Sequence, residues 1–288
     1  MASMEQVKNA VEKGTQTLAA APTPTPKETK ANTLATLLAV PNIKERFHQM
    51  LGKKAAGFMS SVISVTNQNQ LLQTADPMTI ISAAAIAASL DLPVNPSLSF
   101  AHIVPYKDGK TGKYVAQFQM GWRGFVQLAM RSGKYETINV TEVYDGELVK
   151  NNRHTGRMEF DELKKTSDKI IGYVAYFKLI NGFEKYLYMT TEQVTAHGQK
   201  YSKSFGSDYG QWKKNFDSMA KKTVLKMLLS KFGLLSIEME RAVETDQAVV
   251  KDIDGTPSYI DNNNVIDAET DEVPMNEADQ KLADSFGK

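Results

Sequence analysis

The chain of 288 residues contains no cysteine, so disulfides and thiolate metal sites are excluded and a reducing compartment fits. No apolar run approaches the roughly 18 residues that a membrane span needs, and no signal-peptide pattern opens the sequence. The expectation is a soluble, cytoplasmic protein with no membrane partner. Asn139-Val140-Thr141 matches a glycosylation sequon, which carries no weight without secretion. The four histidines, His48, His102, His154 and His197, include no pair at a metal-ligand spacing on one helix. A phosphate-binding loop is missing too. Gly109-Lys110-Thr111 resembles the end of one, but the glycine required five residues before the Gly-Lys pair is Val104. No ATP site, no cofactor and no catalytic Mg²⁺ site is therefore expected.

Net charge is almost absent as well, at +1, but its distribution is uneven. Residues 244–288 carry twelve Asp/Glu against three Lys, and residues 1–32 carry three Glu against four Lys. What remains in 33–243 is 27 Lys/Arg against 18 Asp/Glu, a surplus of nine positive charges. A basic core joined to an acidic tail is the asymmetry of a polyanion binder.

Three regions follow. Residues 1–32 are poor in apolar content and run into Ala-Pro-Thr-Pro-Thr-Pro at 21–26, which reads as a flexible arm. Residues 33–245 read as one core domain. Residues 246–288 read as an acidic flexible tail whose end, Leu282-Ala283-Asp284-Ser285-Phe286, could dock on a partner.

Within the core, Asn42 can cap a helix carrying Ile43, Phe47, Met50 and Leu51 on one face, a pattern that Phe58, Val62 and Val65 continue. Asp76-Pro77 starts another helix that runs through alanines to Leu90. Strands are expected over 100–106 and 114–120, then a short helix over 123–131 closed by Gly133, then a strand over 135–144. Asn181-Gly182 joins strands 170–180 and 183–189 as a hairpin. Thr190 with Gln193 resembles a capping box, and a polar loop over 199–210 follows. Helices and antiparallel hairpins without strand–helix alternation give an α+β fold: helices around a central antiparallel sheet, flanked by disordered arms.

The densest signal is 211–232, read as one helix. Trp212, Phe216, Met219, Ala220, Val224 and Met227 form an apolar stripe, with Lys214, Lys221, Lys222 and Lys226 opposite and Lys213 at its edge. Elsewhere cations alternate with aromatics, as in Tyr106-Lys107, Trp122-Arg123 and Lys200-Tyr201-Ser202-Lys203. Single-strand binders need cations that follow phosphates and flat side chains on which unpaired bases stack. The candidate DNA-binding residues are Lys107, Trp122, Arg123, Tyr201, Lys203, Lys213, Lys214, Lys221 and Lys222. Gly121 and Gly124 bracket Trp122-Arg123, either for a tight turn or for close approach of a ligand. A rival reading is a metal-dependent nuclease built on Asp145, Glu162 and Lys164. Another is a protein that coats single strands without pairing them.

Three segments resemble the RecT family of phage single-strand annealing recombinases: Leu90–Tyr106, Gln119–Gly133 and Trp212 onward through 235. Position 122 is tryptophan where tyrosine is common. The resemblance implies annealing of complementary strands without ATP, and assembly into helical filaments or rings on DNA. It also implies single-stranded and annealed duplex DNA as partners, with a phage exonuclease and a host single-strand-binding protein, in the bacterial host cytosol.

Overall fold

A computed structural model describes residues 30–251 except Lys110, Arg153, Tyr209 and Leu235, together with Gly255 and Ser258. The Pro/Thr-rich arm before residue 30 and the acidic segment from 259 onward lie outside the described residues.

The N-terminal half is helical: α1 (Lys30–Leu38), α2 (Pro41–Leu51), α3 (Ala55–Asn67), α4 (Gln70–Thr74) and α5 (Pro77–Ser89). Helix α2 starts on Pro41 at its first turn, and Val40 rather than Asn42 occupies the cap position. Asp76 caps α5 as expected, accepting from Met78 N at 2.9 Å. All ten residues from Thr79 to Ala88 on α5 are buried. A helix that is apolar all round is a core helix, and its alanines let other elements pack close. Strands β1 (Ala101–Lys107) and β2 (Tyr114–Met120) form an antiparallel hairpin on this half. Ala116 N of β2 donates to Thr79 Oγ1 at 2.8 Å.

The second half contains α6 (Trp122–Arg131), β3 (Tyr135–Tyr144), β4 (Leu148–Asn152), β5 (Arg157–Phe160), β6 (Ile170–Leu179), β7 (Glu184–Thr190) and α7 (Thr191–Tyr201). Helices α8 (Gln211–Lys214), α9 (Phe216–Phe232) and α10 (Ile237–Thr245) complete it. The central sheet has the antiparallel order β3–β6–β7, and β4–β5 is a separate hairpin. Alternate residues of β6, namely Tyr173, Ala175, Phe177 and Leu179, are buried, and α9 lies on that face. The α+β architecture is the expected one. Gly182 turns the β6–β7 hairpin at φ 85°, and the capping box of Thr190 and Gln193 is formed at the start of α7.

Helix α9 is the axle of this half, packing on β3, β6, β7, α6 and α7. The 211–232 segment is not one helix. Asn215 leaves helical geometry at φ −142° and ψ 55°, so a four-residue α8 precedes α9. The break turns the buried Trp212 against Phe205 at 5.3 Å and Phe216 at 5.7 Å. Gly198 leaves room for both Phe205 and Trp212, since a Cβ there would stand 2.6 Å from the Phe205 ring. Helix α7 runs on to Tyr201, so the loop expected from 199 begins at 202, and Phe205 anchors it beside Lys203.

Packing continues past residue 245. Asp246, Ala248, Val249 and Val250 are buried. Gln247 N donates to Phe118 O at 2.9 Å and Phe118 N to Ala248 O at 3.3 Å, so this segment covers the free edge of β2. Val249 and Ser258 form an antiparallel bridge. The residue at which the sequence starts its acidic tail, Asp246, is a core residue.

Candidate nucleic-acid interface

Asp246 explains much of the lysine-rich helix. Its carboxylate accepts from Lys222 Nζ at 2.8 Å, from Lys226 Nζ at 2.9 Å and from Met120 N at 2.9 Å. The Asp246 side chain is 1% exposed and that of Lys222 is 7% exposed. Burial alone would raise the Asp246 carboxyl, but Lys222 and Lys226 outweigh it and hold it below the usual carboxylate range. Burial pushes the Lys222 amine down from its ordinary value, against the pull of Asp246. Lys222 therefore acts inside the fold. The one-sided stripe read from the sequence fails at this point because α9 is packed on several sides, and Lys222 and Thr223 are buried with Val224 and Leu225.

Lys221 points elsewhere. It donates to Glu142 on β3 at 2.6 Å, and its ammonium stands 5.6 Å from the Trp122 ring. Burial raises the Glu142 carboxyl, but the hydrogen bond from Lys221 reverses the shift and leaves it lowered. The exposed Arg123 guanidinium covers the same ring at 5.3 Å. Trp122, Arg123 and Lys221 are thereby brought together at the N-terminus of α6. Gly121 is the cap residue there and no side chain caps the helix. Uncapped amides and the positive end of the helix dipole favour an anion at that position.

Gly121 and Gly124 serve the fold at this point. A Cβ on Gly121 would stand 2.0 Å from Ser99 O, and one on Gly124 would stand 2.2 Å from Phe100 O. The start of α6 lies directly on the 99–100 backbone, which fixes Trp122 and Arg123. Gly124→Ala is expected to lower stability by about 1–3 kcal/mol through overpacking, seen as a fall of roughly 3–10 °C in thermal melting.

A second group lies on α7 and the loop after it. Lys200 Nζ stands 5.1 Å from the Tyr201 ring, and Tyr201 meets His197 at 4.5 Å. Burial lowers the His197 pKa, helped by Lys226 and Lys200. Lys203 is exposed on the same loop, and Lys213, paired with Asp208, and Lys214 are exposed on α8. Lys107 is distant from the first group. It ends β1 opposite Tyr114, a strand length of about 20 Å from Met120. Lys226 and His197 were not among the candidates; a histidine one turn before Tyr201 was the signal available for the latter.

The rival residues Asp145, Glu162 and Lys164 are exposed, on a turn and a single turn of 3-10 helix (Glu162–Lys164). Lys164 lies 4.0 Å from Asp161. Among the described residues no three His, Cys, Asp or Glu side chains gather as a metal site needs. No helix among them is long and apolar enough to cross a membrane.

Residues 56–261 match the family model of the RecT family. The chain is 44% identical over 269 residues to the uncharacterized protein YqaK of Bacillus subtilis (strain 168), covering 93% of this chain and 88% of that one. It is 26% identical over 240 residues to Protein RecT of Escherichia coli (strain K12), covering 82% of this chain and 88% of the other. The chain belongs to the RecT family, and so to the single-strand annealing proteins of DNA recombination. The match extends beyond residue 245, as the buried segment around Asp246 does.

Proposed function

We propose that this protein binds single-stranded DNA along its basic core, self-associates on it and pairs complementary strands without ATP. The observation that carries the reading is the group at the start of α6, where Arg123 lies over Trp122 beside Lys221 at an uncapped helix N-terminus. Phosphates take the helix terminus and Arg123, with Lys203, Lys213 and Lys214 continuing the path. Trp122 and Tyr201 offer faces to bases. Lys221 steadies Trp122 and Glu142, and Lys107 lies at the far end of its hairpin. Contacts to phosphates and to base faces leave the base edges free, so a second strand pairs without regard to sequence.

Neutralising both strands lowers their repulsion, and base pairing supplies the driving force. No step uses a bound nucleotide or metal, so the protein acts as a scaffold rather than an enzyme. The exonuclease and single-strand-binding partners implied by the family fit the acidic C-terminal segment as their docking site. Annealing inside a bacterial cell places the protein in the cytosol.

Binding of a labelled oligonucleotide should weaken steeply with salt. Between about 50 and 200 mM the loss is expected to be on the order of 10³-fold for half a dozen phosphate contacts or more. An affinity that does not change over that range removes the electrostatic basis of the reading.

A further inference from the structure

Two apolar features stay exposed at opposite ends of the β3–β6–β7 sheet. At one end Met130, Ile180, Phe183, Phe232, Leu234 and Ile237 are between 39% and 83% exposed. Leu234 meets Tyr135, Phe232 lies two residues before Leu234, and α10, which starts at Ile237, packs on α6, which carries Met130. The Tyr135 hydroxyl accepts from Leu234 N at 2.9 Å, and its ring stands edge-on to Phe177 at 5.4 Å. Phe177 in turn meets Phe183 at 6.0 Å, and Ile180 N donates to Lys134 O at 3.1 Å. A contiguous patch of this kind marks an interaction surface more than scattered apolar residues do.

Its rim is cationic. Lys185 stands over Phe232 at 5.0 Å, and Lys134 and Lys231 are exposed beside it. Among the other charges there, Lys178 pairs with Glu136 at 2.9 Å, Glu184 accepts from the Tyr176 hydroxyl at 2.8 Å, and Arg131 lies beside Glu238.

At the other end Leu163 is 95% exposed. One exposed leucine is ordinary by itself; here the turn beneath it is braced. Asp161 Oδ1 accepts from Leu163 N at 3.0 Å, and Thr166 N donates to Asp145 O at 2.8 Å. Gly146 lies under the same turn, where a Cβ would stand 2.1 Å from Lys164 O. The lysines of this end are matched, Lys164 to Asp161, Lys165 to Asp168 at 2.7 Å and Lys169 to Glu192. The residual charge around Leu163 is therefore acidic, from Asp145, Glu147 and Glu162. Strand β3 runs from Tyr135 to Tyr144, which separates the two features by about 30 Å.

We propose that the Leu163 turn of one copy seats in the Tyr135 patch of the next. An apolar tip with acidic flanks matches an apolar patch with a lysine rim. Because the two surfaces differ and lie at opposite ends, the contact is heterologous and propagates head to tail into a ring or an open array. This rests on the reading that copies line up along a strand, and it names the surfaces they use.

The test is sedimentation of the full chain on a long single strand and without DNA, using Leu163→Asp and Ile237→Asp. Both side chains are exposed, so thermal melting should match the unaltered chain. The unaltered chain is expected to assemble, and each variant to associate at least tenfold more weakly. An equimolar mixture of the two variants should recover dimers, because one retains the turn and the other the patch. The contact is overturned by a variant that assembles normally, by a mixture that yields no dimer, or by an unaltered chain that stays monomeric. A variant assembling normally would also indicate that something other than a second copy covers the patch. Binding to an oligonucleotide too short for two copies is read separately. Its loss in the unaltered chain refutes the DNA reading, while the sedimentation result still decides the contact.

Discussion

Asp246→Ala is expected to remove roughly 3–5 kcal/mol of stability, the cost of leaving a buried partner charge uncompensated. The effect is large because one carboxylate serves Lys222, Lys226 and the Met120 amide together. Loss of it also frees the segment that covers the β2 edge. The pH dependence has a definite sign. The folded Asp246 pKa lies below its ordinary value of 3.8, so its contribution is present above that value and is lost as the pH falls through the depressed one. Denaturant melts at neutral pH should show the loss directly. Acid titration should show the difference between variant and unaltered chain shrinking as the pH drops toward the depressed value. A variant as stable as the unaltered chain at pH 7 would mean that the triad contributes nothing net.

Lys222→Ala breaks the same buried group from its other side. Removing Lys222 disturbs the fold, so any defect in annealing that follows does not identify a DNA contact. Arg123, Lys203 and Lys214 are better probes because all three are exposed. Replacing these three with alanine is expected to lower single-strand affinity by roughly a hundredfold at about 0.1 M salt. Each phosphate contact contributes about 0.7 to the log–log salt slope, so the slope should fall by about 2. The melting temperature should move little, since exposed cations contribute at most about 1 kcal/mol each. Fluorescence anisotropy across a salt series measures both quantities. An unchanged slope would place the DNA elsewhere on the molecule.

Local signals in the sequence were reliable wherever one residue type has one physical use. The Asp76-Pro77 start, the Thr190–Gln193 box and the Asn181-Gly182 turn all stand where the sequence puts them, because caps and tight turns are decided within four residues. The site was less legible, and for a reason that concerns packing. Period alone assumes a helix with one buried side, whereas α9 is enclosed by strands and helices, so Lys222 is inside although it lies on the charged side of the pattern. Asp246 shows the same limit from the other direction. A carboxylate beside an acidic run reads as solvated, and only a contact spanning 24 residues to Lys222 makes it a core residue. The β4–β5 hairpin went unread because Leu148–Asn152 has little apolar alternation and faces mostly solvent. Asn215 interrupts its helix without the glycine or proline that would announce a break.

That this chain pairs complementary strands rather than merely holding one rests on the family match. The most direct test mixes two complementary oligonucleotides with the protein and no ATP, beside a non-complementary pair and a control for strand integrity. The account predicts rapid duplex formation from the complementary pair alone, with both strands intact. Binding without acceleration would contradict it and leave a coating protein, and shortened strands would contradict it in favour of a nuclease.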